Sequence, residues 1–456
     1  MSINRAFSKL ALFFVIATLV MIPGFYRNQW GIVDSTFYND WQKIFEYNVV
    51  ARLVKSQQDG LFSAGGFIGI GDVTEWNIDR KVIEHQYEVY QNGGKFTTYW
   101  AYASVPGFEG VVFSLFDRLT SFSPVVKIRI FRATEAIATA LVLATFAIWL
   151  GTELSWLAAA AVLVYIVLSN WLTLLAGNIY WNLWSFYLPL VASLFLLRDA
   201  AKKNSYPEIK ILLAILILML VKILFNGFEF ITSALIIPTV PFVYFAVRDR
   251  WGWKLFLTRM LKLGISLVAA LVGGLLILGI QIAALYGTAS ASLNYILATF
   301  QRRSFGDPQN YSGIYADAMR ASTFSVIVDY LNIPVFSLRP FGSTINFTYL
   351  HLFILFAIFT GLFFLLNRLH PDPTTWRAGL ALVIATWYSM AAPLSWYIVF
   401  KAHAYIHNNL DPAAWQMPFT LFGVALCGFV LMNLVRFILQ IGQAHQQPAV
   451  SAPGNM

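Results

Sequence analysis

Apolar residues in this chain come in long, nearly unbroken runs rather than at the spacing of a one-sided helix or strand. Crossing a bilayer takes about 20 such residues in a helix. About ten runs approach that length: 10–26, 131–150, 155–171, 183–197, 211–226, 230–247, 263–286, 347–366, 378–395 and 416–438. Only a segment that satisfies its own backbone hydrogen bonds is stable in hydrocarbon, so the runs read as helices. The pattern predicts an all-α, polytopic transmembrane protein with a single transmembrane domain over residues 1–441. The Gln-, Ala-, Pro-, Ser- and Gly-rich stretch 442–456 reads as a disordered cytoplasmic tail.

Two segments between runs are too long to be connectors. In the first, 27–130, Trp41, Ile44, Phe45, Val49 and Leu53 recur at helical spacing within Asn39–Ser56. Lys43, Arg52 and Lys55 fall on other faces, which predicts an amphipathic helix lying along the membrane surface. A glycine-rich stretch, Gly60–Gly71, follows, then acidic and aromatic residues through Glu84–Tyr102, and a second amphipathic run, Phe108–Leu119. The other long segment, 287–346, holds Gln301–Arg303, Asp307–Tyr315 and Arg339. The absence of an internal repeat disfavours transporter folds built from two related halves.

Composition sharpens the class. Hydrophobic residues make up 58% and charged residues 12% of the chain, against about 25% charged in a soluble domain. The 15 Trp, 21 Tyr and 39 Phe suit the boundary between water and hydrocarbon. One cysteine, Cys427, within an apolar run leaves no disulfide framework and no thiolate metal cluster.

The net charge of +9 belongs to lipid rather than nucleic acid, because the basic residues fall in alternate short connections. Arg198, Lys202, Lys203 and Lys210 occupy one, and Arg248, Arg250, Lys254, Arg259 and Lys262 the next. Arg368 and Arg377 occupy a third, whereas 172–182 holds none and 396–415 only Lys401. This bias predicts an integral plasma (inner) membrane protein with both termini cytoplasmic and both long segments extracytoplasmic. Arg5 and Lys9 ahead of Leu10–Tyr26 would also suit a signal peptide, but the run ends without a small-residue cleavage site and reads as a retained span.

The polar residues at the outward ends supply the candidate chemistry. Gly65–Gly71 resembles a phosphate loop only in its glycines; without a preceding buried strand and a following Lys-Ser/Thr it reads as a flexible loop. His403 and His407 have the spacing of two zinc ligands, with no third in register. Taken alone, Asp40 suits a helix N-cap better; its functional reading is a general base taking the proton of an acceptor hydroxyl. Asn178 and Tyr180 lie in the outward stretch Gly177–Asn182, and Lys222, Asn226 and Glu229 surround the exit of the fifth run. Arg302 and Arg303 sit in the second long segment, and Lys401, His403 and His407 in the last outward loop. A lysine near a membrane end can snorkel to the headgroups, but several cations on one leaflet suit a phosphate or pyrophosphate.

This layout resembles the GT-C superfamily of membrane glycosyltransferases, which draw sugars from polyprenyl-phosphate carriers. The resemblance rests on four features of the sequence. Asn39-Asp40 places an acid soon after the first run, and the large first outer loop ends in a Pro-Gly-led amphipathic run, Pro106–Leu119. A basic-led second run, Lys127-Ile128-Arg129-Ile130-Phe131-Arg132, follows, and a late outer loop is rich in Lys, Arg and His.

The resemblance implies transfer of a sugar from a polyprenyl-phosphate carrier to an envelope glycan, lipid or protein acceptor on the extracytoplasmic face. Asp40 would be the catalytic base, and Lys222, Arg302, Arg303, Lys401 and His403 would bind the donor phosphate. Glu88, Asn178, Tyr180, Glu229 and His407 are the candidate substrate-binding residues. Many relatives carry two adjacent acids where Asn39 precedes Asp40 here, so no paired acidic motif supports a divalent metal and the cofactor stays undefined. The alternatives are a transporter or flippase of a lipid-linked saccharide, and a non-catalytic scaffold. Lys222 and Glu135 fall near the outward ends of their runs, which fits a one-sided site better than a translocation path.

Overall fold

The computed structural model describes residues 3–73, 78–338 and 345–446; Arg339 and residues 447–456 lie outside these. The first apolar run folds as α1 (Ile3–Arg27) and leads into a folded layer. Within it, α2 (Ser35–Asp59) is followed by β1 (Gly69–Gly71), α3 (Arg80–Gln91), β2 (Tyr99–Ala101) and α4 (Phe108–Leu119). The strands pair antiparallel, Gly69 opposite Ala101. A Cβ on Gly69 would lie 2.3 Å from the Trp100 carbonyl oxygen, so the absent side chain permits the approach.

Two expectations for this layer are corrected. The helix over 39–56 is not the one-sided amphipathic helix expected, because α2 packs against α3, α4 and β1 and buries Trp41, Gln42, Glu46, Tyr47, Val49 and Leu53 around its circumference. Its buried polar residues face protein partners instead of water. Glu46 pairs with Arg132, accepts from the Tyr87 hydroxyl at 3.1 Å and is wholly buried. The glycine-rich stretch is likewise not a flexible loop. Buried Arg52 donates to the carbonyls of Gly60 (3.1 Å), Leu61 (2.5 Å) and Ser63 (2.5 Å), and Gln281 donates to that of Gly65 at 3.0 Å. Carbonyls rather than amides converge there, the wrong polarity for a phosphate cradle. α4 does present an apolar outer stripe, Phe108, Val112, Leu115 and Leu119, at helical spacing.

Next come α5 (Pro124–Glu153), α6 (Trp156–Leu168), α7 (Asn170–Ala176), α8 (Trp184–Lys202) and α9 (Glu208–Asn226). α10 (Ile231–Ile236), α11 (Thr239–Arg248) and the long α12 (Trp253–Tyr286) follow. The second long segment folds as α13 (Ala289–Arg303), α14 (Ile314–Arg320), α15 (Thr323–Leu331) and an antiparallel hairpin of β3 (Pro334–Leu338) and β4 (Ile345–Thr348). The chain then continues through α16 (Tyr349–Leu369), α17 (Pro373–Ser389), α18 (Ala391–Val399), α19 (Lys401–Ile406) and α20 (Phe419–Gln446). Helix α20 thus continues past Gly442, where a disordered tail was expected to begin.

Every expected run is helical, but fewer than ten are long and apolar enough by themselves to count as spans. Among the described residues, 7 stretches are long and apolar enough to cross a membrane: 9–27, 124–153, 231–248, 253–286, 349–369, 375–399 and 419–440. The pair α6–α7, bent by 72°, makes an eighth if it crosses as one. The bend falls at Ser169, which leaves helical geometry and caps α7 by accepting from the Leu172 amide at 3.3 Å. α8 and α9 occupy the runs 183–197 and 211–226 but are not among the 7. Each carries charge that is costly in hydrocarbon: Arg198, Asp199 and Lys202 in α8, and Glu208, Lys210 and Lys222 in α9.

Polar contacts mark two ends of the bundle. At one, Gln42 of α2 donates to the Leu174 carbonyl at 2.9 Å, Asn226 donates to that of Trp181 at 2.5 Å, and Lys401 donates to that of Met319 at 2.8 Å. At the other, Glu153 pairs with Arg248 and, at 3.8 Å, with Arg198, while Lys262 meets Glu208 at 2.7 Å. Both long segments belong to the first end.

Candidate functional site

The end that gathers the long segments holds a cavity of about 770 Å³. Six of the residues singled out from the sequence line it: Asp40, Tyr180, Arg302, Arg303, His403 and His407. They come from α2, the α7–α8 turn, α13 and α19, so the fold joins positions far apart in the chain.

Asp40 lies in the second turn of α2, with its side chain 43% exposed and 4.0 Å from the Arg80 guanidinium. It is not the helix cap. That role belongs to Asp34, whose Oδ1 accepts from the amides of Thr36 and Phe37, both at 3.0 Å. The N-cap reading of Asp40 is therefore overturned.

Beside the cavity lies a buried charge network. The turn between α9 and α10 presents Glu229, which meets the Arg303 guanidinium at 3.0 Å and His403 Nε2 at 3.7 Å. His403 Nδ1 lies 3.4 Å from Asp411, itself wholly buried and accepting from the Trp396 indole at 2.6 Å. Arg303 also donates to the Tyr102 hydroxyl at 3.2 Å. Burial alone would disfavour the Glu229 carboxylate, yet Arg303, His403, His407 and Lys222 outweigh it and hold its pKa at about 2. His407 lies tilted against His403 with ring centroids 4.3 Å apart, and burial together with that neighbour pushes its imidazole down to about 4.

The remaining candidates have other surroundings. Lys222 is wholly buried and donates to the carbonyls of Gly227 (2.9 Å) and Glu229 (2.5 Å), shaping the turn that offers Glu229. Gly227 permits this turn, with φ +57 and no room for a Cβ beside Val105. Lys401 donates to the carbonyls of Met319 and Ala321, both at 2.8 Å, and so fastens α19 to α14. Neither ammonium lines the cavity. Asn178 donates to Gln42 Oε1 at 2.9 Å and fixes the turn that carries Tyr180. Glu88 is exposed on α3 and does not line the cavity.

Ser104 and Tyr295, not singled out from the sequence, prove central. Their hydroxyls lie 3.4 Å apart, and with Arg303 they line both the polar cavity and an adjoining apolar groove of about 280 Å³. Ile231, Leu235, Leu271, Leu275, Ile296 and Phe400 line that groove. No sequence spacing ties a serine near residue 100 to a tyrosine near 300, so only the fold brings them out. Among the described residues no group of three or more His, Cys, Asp or Glu is arranged to hold a metal ion. Comparison with known proteins finds no matching family model, no matching curated protein and no matching solved structure.

Proposed function

We propose that the protein is a GT-C-type membrane glycosyltransferase that moves a sugar from a polyprenyl-phosphate carrier to an envelope glycan, lipid or protein acceptor on the extracytoplasmic face. The observation that carries the proposal is the junction at Ser104, Tyr295 and Arg303, where a polar cavity with cations at one side meets a groove lined by membrane-helix residues. An amphiphile with an anionic head and a hydrocarbon tail fits both compartments at once.

In this reading the tail occupies the groove, and the phosphate lies against Arg302, Arg303 and His403. Asp40 takes the proton of the acceptor hydroxyl as that oxygen bonds to the anomeric carbon. The bond from that carbon to the phosphate oxygen breaks, and the departing phosphate carries away the electron pair. Positive charge fixed where that negative charge grows lowers the barrier, the more so away from bulk water. Glu229 and Asp411 hold the arginine and the histidine in place, whereas Lys222 and Lys401 act on the backbone.

Binding of a polyprenyl phosphate to the detergent-purified protein tests this reading. Arg302→Gln removes an exposed guanidinium, and Leu275→Trp fills the groove; each is expected to weaken binding about tenfold. Equal binding of the phosphate-free polyprenol, or no loss in either variant, would remove the proposed site.

A further inference from the structure

A second cavity, of about 880 Å³, opens at the same end of the molecule. Successive residues of α2 separate the two, since Asn39 lines the second cavity and Asp40 the first. The end of α1, the α6–α7 break and β3 complete its wall.

Two carboxamides stand out in that wall. Exposed Asn39 and partly buried Asn170 both line the cavity, and neither side chain has a hydrogen bond among the described residues. Asn28 and Asp34 are engaged: Asn28 holds both the amide and the carbonyl of Val33, and Asp34 caps α2. Trp171 and the half-exposed Phe37 add aromatic surface. Among the described residues, Arg27 and Asp34 are the charged ones in the wall, and they are of opposite sign. Free carboxamides beside aromatic rings, with little net charge, match alternating hydroxyls and C–H faces. They do not match a phosphate.

We infer that this second cavity binds a neutral glycan chain, one end of which reaches the turn of α2 that carries Asp40. As the acceptor of the proposed transfer the glycan rests on that reading; as a bound ligand it does not. The chain can be borne on a lipid or belong to a soluble polymer.

Saturation-transfer NMR on the full-length, detergent-purified protein tests the inference, with chitohexaose, cellohexaose and maltohexaose as probes. At least one is expected to receive saturation, and Asn39→Ala/Asn170→Ala to reduce it about fivefold or more. Phe37→Ser, at an exposed ring, is expected to reduce it independently. Arg302→Gln, in the other cavity, is expected to leave the signal within about twofold. No saturation of any probe, or the same saturation in a folded double variant, overturns the glycan site. If glycan binding persists while polyprenyl phosphate fails to bind, the transfer reading falls and this site stands; the converse removes this site alone. A gain on attaching an octyl tail to the bound hexasaccharide assigns the glycan to a lipid, and equal binding assigns it to a polymer.

Discussion

Asp40 combines half exposure, a place on the polar cavity and, among the described residues, a single ionic neighbour at 4.0 Å. Asp40→Asn is therefore expected to leave the fold and lipid-phosphate binding intact while lowering transfer about 10²–10⁴-fold, the range removed with a general base. Transfer that survives in the folded variant would exclude Asp40 as the base. The network beside it makes a prediction in pH. His407 sits near pH 4 in the fold against an ordinary 6.5, so on acidification the unfolded chain takes the proton first and stability falls across that interval. Glu229, held at about 2, contributes stability above its ordinary 4.5 that is lost as pH falls toward 2. Melting temperature should thus decline from pH 6.5 downward, and His407→Gln should flatten the part between 6.5 and 4. An unchanged slope would show that His407 exchanges protons freely. The sequence exposes Asp40, Arg302, Arg303, His403 and His407 because charge crowded at the ends of apolar runs is unusual. It presents Lys222 and Lys401 in the same light, since the carbonyls that capture them, at Gly227, Glu229, Met319 and Ala321, belong to turns with no pattern of their own.

At the level of elements, α2 shows why apolar pattern succeeds for some helices and fails for others. A membrane span advertises itself by continuous hydrophobicity, so each expected run is a helix. α2 carries Gln42, Glu46, Asn48 and Arg52 among its buried residues, and their surroundings are protein rather than water or lipid. Periodicity assumes that polar means outside and misplaces such a helix. Its stability depends on partners in other elements, above all Arg132 of α5, which neutralises wholly buried Glu46. Arg132→Met would leave that carboxylate unpaired and is expected to cost about 3–5 kcal/mol, measured by denaturation in mild detergent. Adding Glu46→Gln should recover much of the loss. A single variant that loses under about 1 kcal/mol would show that water reaches Glu46 and that α2 is less enclosed than its contacts indicate.

For the whole molecule, the open question of topology turns on α8 and α9, which join the eight candidate crossings to make ten only if both traverse the membrane. Labelling at residues 92 and 310 cannot decide it, because adding or removing that pair leaves both positions on one side. Residue 203, between α8 and α9, does decide it. Arg198 near the end of α8 meets Glu153 at the end of α5, and Glu208 at the start of α9 meets Lys262 in the first part of α12. These contacts place the α8–α9 turn at the end opposite both cavities, so α8 and α9 are predicted to cross fully despite their charged residues. With buried Cys427 replaced by alanine, a cysteine at Asn92 or Asn310 should react with an impermeant maleimide in intact cells. A cysteine at Lys203 should react only after permeabilisation. Labelling of all three from outside would make α8 and α9 a re-entrant pair, and labelling of Lys203 alone would turn both cavities toward the cytoplasm and remove the extracytoplasmic reaction.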